Sequence, residues 1–443
     1  MVGDASPALL TDKYELTMLS AALRDGSAQR RTTFEVFARR LPEGRRYGVL
    51  AGTNRFLEAL GGFVFDPPAL ASLSEFLSPT TLDYLRGFRF GGDIDGYAEG
   101  ELYFPGSPVL SVTGTFAECV VLETLALSIL NHDSAVASAA ARMVSAAGGR
   151  PLIEMGSRRT HEQAAVAAAR AAYIAGFAGT SNLEAVRRWG IPGIGTSAHA
   201  FTLLYAGAEK GPAGSPESDD WERAAFRAQI AELGIDTTLL VDTFDVRRGV
   251  DNAIAVAGTG LGAVRIDSGD LGVLVRQVRD QLDALGATAT RIVVSGDLDE
   301  YAIAALRAEP VDSYGVGTSV VTGSGAPTAG MVYKLVEVDG IPVRKRSSHK
   351  ESHGGRKGAT RISDATGVVS EELVHPAGAP PNAEAHARAL TTPLVRGGHP
   401  VIGPDGLSAA RDLLARGLAS LPWAGLALSR GEPAIPTRQV PAR

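Results

Sequence analysis

Four segments between residues 237 and 320 decide the fold: TTLLVDTFD at 237–245, AVRIDSGD at 263–270, RIVVSGD at 291–297 and DSYGVGTS at 312–319. In each segment a short apolar run ends in a cluster of polar residues or glycines, and helical sequences at 246–258, 271–286 and 298–309 separate successive runs. A strand, a polar turn and a helix in repetition predict parallel βα units. Active sites in such sheets form at the carboxyl ends of the strands, so we expect these clusters to meet at one rim.

The rest of the chain predicts an insertion architecture. We expect an α+β region over 1–150, an α/β barrel over 151–325 and a return to α+β structure over 326–443, with both ends of the chain forming one flanking domain. The barrel would begin with PLIEMGSRRT at 151–160 and continue through FAGTSN at 177–182 and GIGTSAHAF at 193–201, which gives about seven strands, close to the eight of a complete barrel. After it, MVYKLVEVDGIPVRKRS at 331–347 predicts a hairpin around Asp339-Gly340.

Composition narrows the function classes. The chain has 443 residues, a formal net charge of −6 and a single cysteine, Cys119, for which a plain buried thiol is the favoured interpretation. The negative charge argues against a dedicated nucleic-acid binder, and one cysteine excludes an internal disulfide or a cysteine-rich zinc site. The chain contains neither a recognisable signal sequence nor an uninterrupted apolar run of 18 residues. We therefore expect a cytoplasmic protein that spans no membrane.

The predicted rim has the composition of a phosphate site. Glycine turns that lead into helices bind anions through free N–H groups and the helix dipole, and several such turns with arginines suit a substrate with several phosphates. The sequence lacks a P-loop and the ligand spacing of a protein-caged transition metal, although aspartates beside phosphate turns can hold Mg²⁺ through water. His199 is compatible with catalysis or with a core or solvated position. The basic segment 344–361 predicts either a solvated loop or a lid carrying Lys345, Lys350 and Lys357.

Ten motifs in this order resemble the nicotinate phosphoribosyltransferase family: LLTDKYELTM, TTFEVFAR, EMGSRRTH, FAGTSN, GTSAHAF, VDTFD, VRIDSGD, SGDLDEY, YGVGTSVVTG and YKLVEVDGIPVRKRS. The resemblance runs nearly end to end. It implies a type II phosphoribosyltransferase fold, an irregular TIM-like α/β barrel with a flanking α+β domain built from both chain ends.

The resemblance also implies a reaction. Nicotinate would be joined to 5-phosphoribosyl-1-pyrophosphate to give nicotinate mononucleotide and pyrophosphate in NAD biosynthesis, with Mg²⁺ accompanying the pyrophosphate. The family couples this reaction to ATP hydrolysis through a phosphohistidine, and the motif places it at His199, with Asp242 hydrogen-bonded to it. On composition alone Tyr14 is a packing residue, whereas in the family this tyrosine reaches across a homodimer interface onto the pyridine ring.

Further roles follow residue by residue from the resemblance. Arg158 would grip a phosphate, Arg265 the nicotinate, and Asp267 with Ser268 the ribose or a Mg²⁺-bound water. Ser181 stands where nicotinamide enzymes have an aspartate, which favours a carboxylate substrate. The remaining residues assigned to substrate binding are Thr180, Gly269, Ser295, Gly296, Asp297, Gly315, Gly317, Thr318, Lys345 and Lys350.

Alternatives stay open at this point. A nicotinamide or quinolinate phosphoribosyltransferase has the same fold class, but the second would need extra cations for a second carboxylate and leaves the His199 motif unexplained. A phosphate-binding barrel without catalysis would serve as a metabolite sensor. A nucleic-acid protein would use the basic segment, and its binding would fall steeply with salt.

Overall fold

The computed structural model describes residues 6–205, 216–345, 353–380, 386–401 and 406–441. The chain divides into two compact units, Met1–Ser138 with Ala326–Arg443, and Ala139–Gly325. We call them the terminal unit and the central unit. The first boundary falls inside a long helix at Ala139, earlier than the glycine pair near 150 where sequence analysis put it.

The first part of the chain forms short helices and strands. Its helices are α1 (Lys13–Asp25), α2 (Thr53–Gly61), α3 (Pro67–Leu73), α4 (Pro79–Arg86), α5 (Phe116–Val120) and α6 (Glu123–Ala147). Its strands are β1 (Arg31–Ala38), β2 (Gly48–Val49), β3 (Asp93–Gly96), β4 (Leu102–Tyr103) and β5 (Leu110–Thr115). Thr115 and Glu118 begin α5 with a capping box, in which each side chain bonds the other residue's backbone N–H.

The central unit alternates strands and helices. Its strands are β6 (Leu152–Glu154), β7 (Gly179–Thr180), β8 (Thr238–Leu240), β9 (Ala263–Ile266), β10 (Arg291–Val294) and β11 (Ser313–Val316). Its helices are α7 (Glu162–Ile174), α8 (Leu183–Trp189), α9 (His199–Leu204), α10 (Pro216–Leu233), α11 (Val246–Ala257), α12 (Leu271–Ala284), α13 (Glu300–Ala305) and α14 (Thr318–Val321).

The six strands form one curled parallel sheet in the order β7-β6-β11-β10-β9-β8. The predicted strand at 193–201 is wrong. Gly193 makes only an isolated parallel bridge with Thr180, and the chain then enters α9 at His199. Two glycines and a proline in 191–195 leave few side chains to pack on a sheet, so the pairing ends after one residue.

The last part of the chain is mostly β structure. It contains β12 (Met331–Val338), β13 (Ile341–Pro342), β14 (Lys357–Ser363), β15 (Val369–Pro376), β16 (Ala387–Ala389), β17 (Thr392–Arg396), β18 (His399–Pro400), α15 (Leu407–Ala419) and β19 (Thr437–Gln439). The predicted hairpin is confirmed: β12 and β13 pair antiparallel around Asp339 and Gly340, whose φ angles of 51° and 78° are both left-handed.

An antiparallel sheet in the order β13-β12-β1-β5-β3-β17-β18 makes the core of the terminal unit. Strand β1 lies between β5 and β12, so residues from both ends of the chain share one sheet. Phe34 of β1 stacks on Tyr333 of β12 with ring centroids 4.8 Å apart. Cys119 is buried in the same core, as predicted, and burial raises the pKa of its thiol to about 12.

Asp133 on α6 is a buried charge in the terminal unit. Arg55 Nη1 lies 2.7 Å from Asp133 Oδ2, and His132 Nδ1 lies 2.9 Å from Oδ1. Burial alone would raise the pKa of Asp133, but the charge of Arg55 and the bond to His132 together lower it. This carboxylate is therefore held ionised inside the fold.

One helical stretch in the described residues, Phe116–Ala147, has the length and apolar composition of a membrane span, with a mean hydropathy of 1.2. In its most apolar 18-residue window 61% of the window is buried inside the protein, as is usual for a core helix.

Candidate active site

The carboxyl ends of the central unit's strands surround a cleft of about 550 Å³. Its walls come from the turns after β6, β7, β9, β10 and β11 and from the segment before α9. The lining residues are Met155, Ser157, Arg158, Arg159, Ser181, Ile194, Gly195, Thr196, Ser197, Ala198, His199, Leu240, Arg265, Asp267, Ser295, Gly296, Asp297, Gly315, Gly317 and Thr318. Most residues that sequence analysis assigned to the rim thus share one cavity.

A positive φ angle explains one glycine of the cleft, and a close side-chain contact explains another. Gly296 has a φ of 128°, which L residues with side chains rarely adopt. A Cβ atom on Gly315 would lie 2.7 Å from Met155 Sδ, so β11 and the turn after β6 touch without room for a side chain. These glycines let the backbone itself form the floor of the cleft.

Arg265, Asp267 and Ser295 form a bonded network in the cleft. Arg265 donates from Nη2 to Asp267 Oδ1 at 2.6 Å and from Nε to Ser295 Oγ at 2.7 Å, and Ser295 donates to Asp267 Oδ1. Burial alone would raise the pKa of Asp267, but the bond from Ser295 and the charge of Arg265 lower it. The network therefore keeps Asp267 ionised and holds the Arg265 guanidinium in one place.

His199 is half exposed, with Thr243 and Asp242 on either side of its ring. Its Nδ1 lies 3.1 Å from Thr243 Oγ1, whereas its Nε2 lies 4.0 Å from Asp242 Oδ1. The second distance is too long for a hydrogen bond, so the predicted direct bond from Asp242 to His199 is not formed in this structure. The hydroxyl of Thr243, which sequence analysis missed, bonds the ring instead.

Asp242 is anchored through its other oxygen. Its Oδ2 accepts hydrogen bonds from the Asp267 backbone N–H at 2.9 Å and from Ser268 Oγ at 2.7 Å. Its Oδ1 is buried and accepts no hydrogen bond from the described residues. The carboxylate is thus fixed with a free acceptor on the side of His199.

Some predicted site residues lie elsewhere. Thr180 is fully buried and donates to Glu154 Oε2 rather than lining the cleft. Ser268 and Gly269 line a neighbouring hollow of about 620 Å³. Tyr14 and Lys345 belong to the terminal unit, where both are exposed, and Lys350 falls outside the described residues.

One of the three lysines predicted for the lid, Lys357, lies in a strand instead. Lys357 begins strand β14, and its Nζ lies 2.7 Å from Glu35 Oε2, a fully buried carboxylate of β1. An ammonium group held in an ion pair inside the sheet is not a free lid cation, so this part of the prediction is wrong.

Comparison with known proteins decides the family. A model described as nicotinate phosphoribosyltransferase N-terminal domain matches residues 9–131, and one described as nicotinate phosphoribosyltransferase family matches residues 151–370. The chain is 73% identical over 434 residues to nicotinate phosphoribosyltransferase pncB1 of Mycobacterium tuberculosis, covering 98% of this chain and 95% of that one. The chain belongs to the nicotinate phosphoribosyltransferase family.

More distant members of the nicotinate phosphoribosyltransferase family are also similar to this chain in sequence and in fold. The chain is 38% identical to nicotinate phosphoribosyltransferase of Bacillus subtilis over 83% of this chain and 76% of that one. The crystal structure of human nicotinic acid phosphoribosyltransferase matches with a TM-score of 0.82 at 27% identity, covering 97% of each chain. The predicted family and the predicted α/β fold class are therefore confirmed.

The donor set of the cleft fits a magnesium ion carried by a diphosphate. Among the residues that the structure describes, no group of three His, Cys, Asp or Glu side chains is arranged to hold a metal. Two carboxylates, Asp267 and Asp297, line the cleft. Mg²⁺ typically keeps several waters and binds one or two carboxylates together with substrate phosphates.

Proposed function

We propose that this protein joins nicotinate to 5-phosphoribosyl-1-pyrophosphate, releasing nicotinate mononucleotide and diphosphate, as a step in NAD biosynthesis. The pyridine nitrogen donates its lone pair to the ribosyl C1 as the C1–O bond to diphosphate breaks, and the diphosphate leaves with the bonding electrons. The observation that carries this proposal is one cleft that combines three arginines, a fixed carboxylate and glycine turns.

The cleft supplies positioning and charge stabilisation. Arg158 would hold a phosphate of the phosphoribosyl substrate, and the backbone at Gly296, Gly315 and Gly317 would cradle the 5-phosphate. Arg265 would contact the nicotinate carboxylate, next to Ser181. A free pyridine nitrogen needs no strong general base, so holding both substrates in line provides most of the catalysis.

His199 is the group that we assign to ATP coupling. Its imidazole would attack the γ-phosphorus of ATP, the bond to the ADP oxygen would break, and ADP would leave. Asp242 Oδ1 offers a buried, unoccupied acceptor on the Nε2 side of the ring, which would stabilise a proton there once the ring carries a phosphoryl group.

Mg²⁺ would enter with the diphosphate and neutralise its charge. Asp267 and Asp297 would hold its water ligands.

We also propose a cytoplasmic homodimer in which Tyr14 reaches the active site of the other subunit, because its side chain is 44% exposed although it is aromatic. Burial and the neighbouring Glu123 raise the pKa of Tyr14, so it would act as a neutral ring.

The test is diphosphate release from the phosphoribosyl substrate with nicotinate, nicotinamide or quinolinate, each with and without ATP and Mg²⁺. We expect release with nicotinate that ATP stimulates. Release with nicotinamide instead would overturn the assignment of Ser181, and release with quinolinate would replace the proposed substrate. Binding of the phosphoribosyl substrate without any release would favour a sensor.

A further inference from the structure

Glu154, the last residue of β6, is a fully buried carboxyl group beside the cleft. Within the described part of the chain, no Lys, Arg or His forms an ion pair with it. Burial raises the pKa of Glu154, opposed in part by bonds from Thr180 and the Gly156 N–H. Burying a carboxyl group without a cation lowers the stability of the fold. We therefore asked what the hydrogen bonds of Glu154 contribute to the cleft.

The two oxygens of Glu154 bond two different turns. Oε1 accepts from the Gly156 backbone N–H, at the start of the turn after β6. Oε2 accepts from Thr180 Oγ1, at the end of β7. The backbone oxygen of Glu154 also accepts from the Ser181 N–H at 2.9 Å. One residue therefore joins the turn that carries Arg158 to the turn that carries Ser181.

Neighbouring bonds strengthen this bridge. Thr180 Oγ1 accepts from the Asn182 N–H at 3.0 Å, and Asn182 Nδ2 donates to Ser157 Oγ at 3.0 Å. Gly156 has no room for a side chain, because a Cβ there would lie 2.9 Å from the Gly317 backbone oxygen. The two turns are thus tied to each other and packed against the turn after β11.

We propose that Glu154 is a positioning residue that fixes the separation between Arg158 and Ser181. It touches no substrate. By joining the two turns it keeps the phosphate-binding arginine and the pyridine-ring subsite at the spacing that the transfer step requires. This role rests on the proposed function, because it assumes that Arg158 and Ser181 hold the two reacting substrates.

The variant Thr180→Val tests the bridge with little change in shape. It removes the hydroxyl that reaches Glu154 and keeps the branched side chain. Thr290→Val is the matched control, since Thr290 is equally buried and donates to the Leu261 backbone oxygen at 2.9 Å, at the amino end of β10 away from the cleft. Thr180→Ser restores the hydroxyl, and Glu154→Gln and Glu154→Ala change the carboxyl itself.

The expected result separates positioning from folding. In Thr180→Val we expect kcat to fall about 10- to 100-fold, because small misplacements of reacting groups cost that much. The dissociation constant of each substrate alone should change little, since each turn still binds its own ligand. Thr180→Ser should recover most of kcat. A kcat like that of Thr290→Val, or a loss of separate binding in proportion to kcat, would overturn the proposal.

A second measurement does not depend on turnover. In Thr180→Val and Glu154→Ala, amide hydrogen exchange at Gly156 and Ser181 should become faster than in Thr290→Val. Unchanged exchange at both amides would show that Glu154 does not hold the turns together. If the unaltered protein binds both substrates but releases no diphosphate, the proposed function fails while the exchange comparison still decides the bridge.

Discussion

His199 Nε2 lies 4.0 Å from Asp242 Oδ1, a buried oxygen that accepts no hydrogen bond from the described residues. The other oxygen of Asp242 is held by Ser268 and by the Asp267 N–H, so the carboxylate cannot turn away from the ring. A ring that carries a proton on Nε2, whether neutral or phosphorylated at Nδ1, would point that N–H toward this acceptor. Asp242 is therefore placed to hold a proton on the Nε2 side of His199, as the proposed phosphoryl transfer requires.

Replacing His199 with alanine should abolish stimulation by ATP and leave slow transfer from the phosphoribosyl substrate. The reason is that, in the proposed mechanism, His199 would accept the phosphoryl group but would not touch the ribosyl C1. Diphosphate release measured with and without ATP checks this, together with loss of the acid-labile phosphate that ATP is expected to leave on the unaltered protein. His399→Ala, at an exposed site in β18, is the control. Full ATP stimulation in His199→Ala would exclude this residue as the acceptor.

Asp242→Asn should lower the ATP-stimulated rate about 10- to 100-fold, the usual worth of one hydrogen bond to a charged group. The amide keeps the shape of the carboxylate but not its charge toward Nε2. The rate without ATP should fall less. Asp245→Asn is the matched control in the same motif, because Asp245 caps α11 and asparagine caps helices equally well. Equal losses with and without ATP would contradict a role through His199.

Ser181→Asp should raise the KM for nicotinate by about 30-fold, which corresponds to about 2 kcal/mol for one charged contact. An aspartate there would repel the substrate carboxylate, and it would accept a bond from the amide of nicotinamide. Ser181→Asn, which is uncharged and of similar size, is the control. Steady-state kinetics with both substrates measures the change in preference. If both variants affect the two substrates equally, Ser181 does not contact the ring substituent.

Tyr14→Ala should raise the KM for nicotinate by up to roughly 10-fold, the scale of one aromatic stacking contact. Tyr14→Phe keeps the ring and should behave like the unaltered protein. Sedimentation of both variants establishes that the assembly is unchanged. An unchanged KM in a well-folded Tyr14→Ala protein would remove this residue from the ring site.

Asp133→Asn should weaken the fall in the free energy of unfolding that accompanies a decrease in pH. The folded-state pKa of Asp133 is lowered, so its charge contributes stability above the unfolded pKa of about 3.9 and loses it as pH falls through the folded pKa. At neutral pH the variant should lose up to about 3 kcal/mol of unfolding free energy, because Arg55, whose side chain is 25% exposed, loses its anionic partner. Urea unfolding between pH 3 and pH 7 measures both effects. A steeper fall with decreasing pH in the variant would contradict the assigned sign.

The repeated βα pattern and the hairpin could be predicted because each depends on local sequence. Alternating apolar residues around Asp339-Gly340 specify their own turn, and apolar runs that end in VDTFD or RIDSGD specify strand ends. The segment 193–201 misled the prediction because its polar end resembles the others. Its glycines and Pro192 allow only one bridge, which depends on packing beyond the segment.

Partners of individual side chains were harder to predict. Strand β11 lies beside β6 although nearly the whole central unit separates them in sequence. The closeness of Gly315 to Met155 therefore depends on the order of strands in the sheet, which local sequence does not specify. The bond from Thr180 to Glu154 and the one between Thr243 and His199 likewise depend on which strand ends meet. Sequence analysis placed Thr180 in the cleft because its motif lines the rim, and the side chain points the other way.

The place of β1 between β5 and β12 has a consequence for biosynthesis on the ribosome. The central unit is continuous in sequence, so all its strands are available before β12 has been made. Strand β1 is synthesised first, and the edge that pairs with β12 stays unpaired until the hairpin of β12 and β13 has been made. An unpaired strand edge is prone to association with other chains. Nascent chains stalled before residue 331 should therefore recruit chaperones that protect β1, and release of those chaperones should coincide with synthesis of β12.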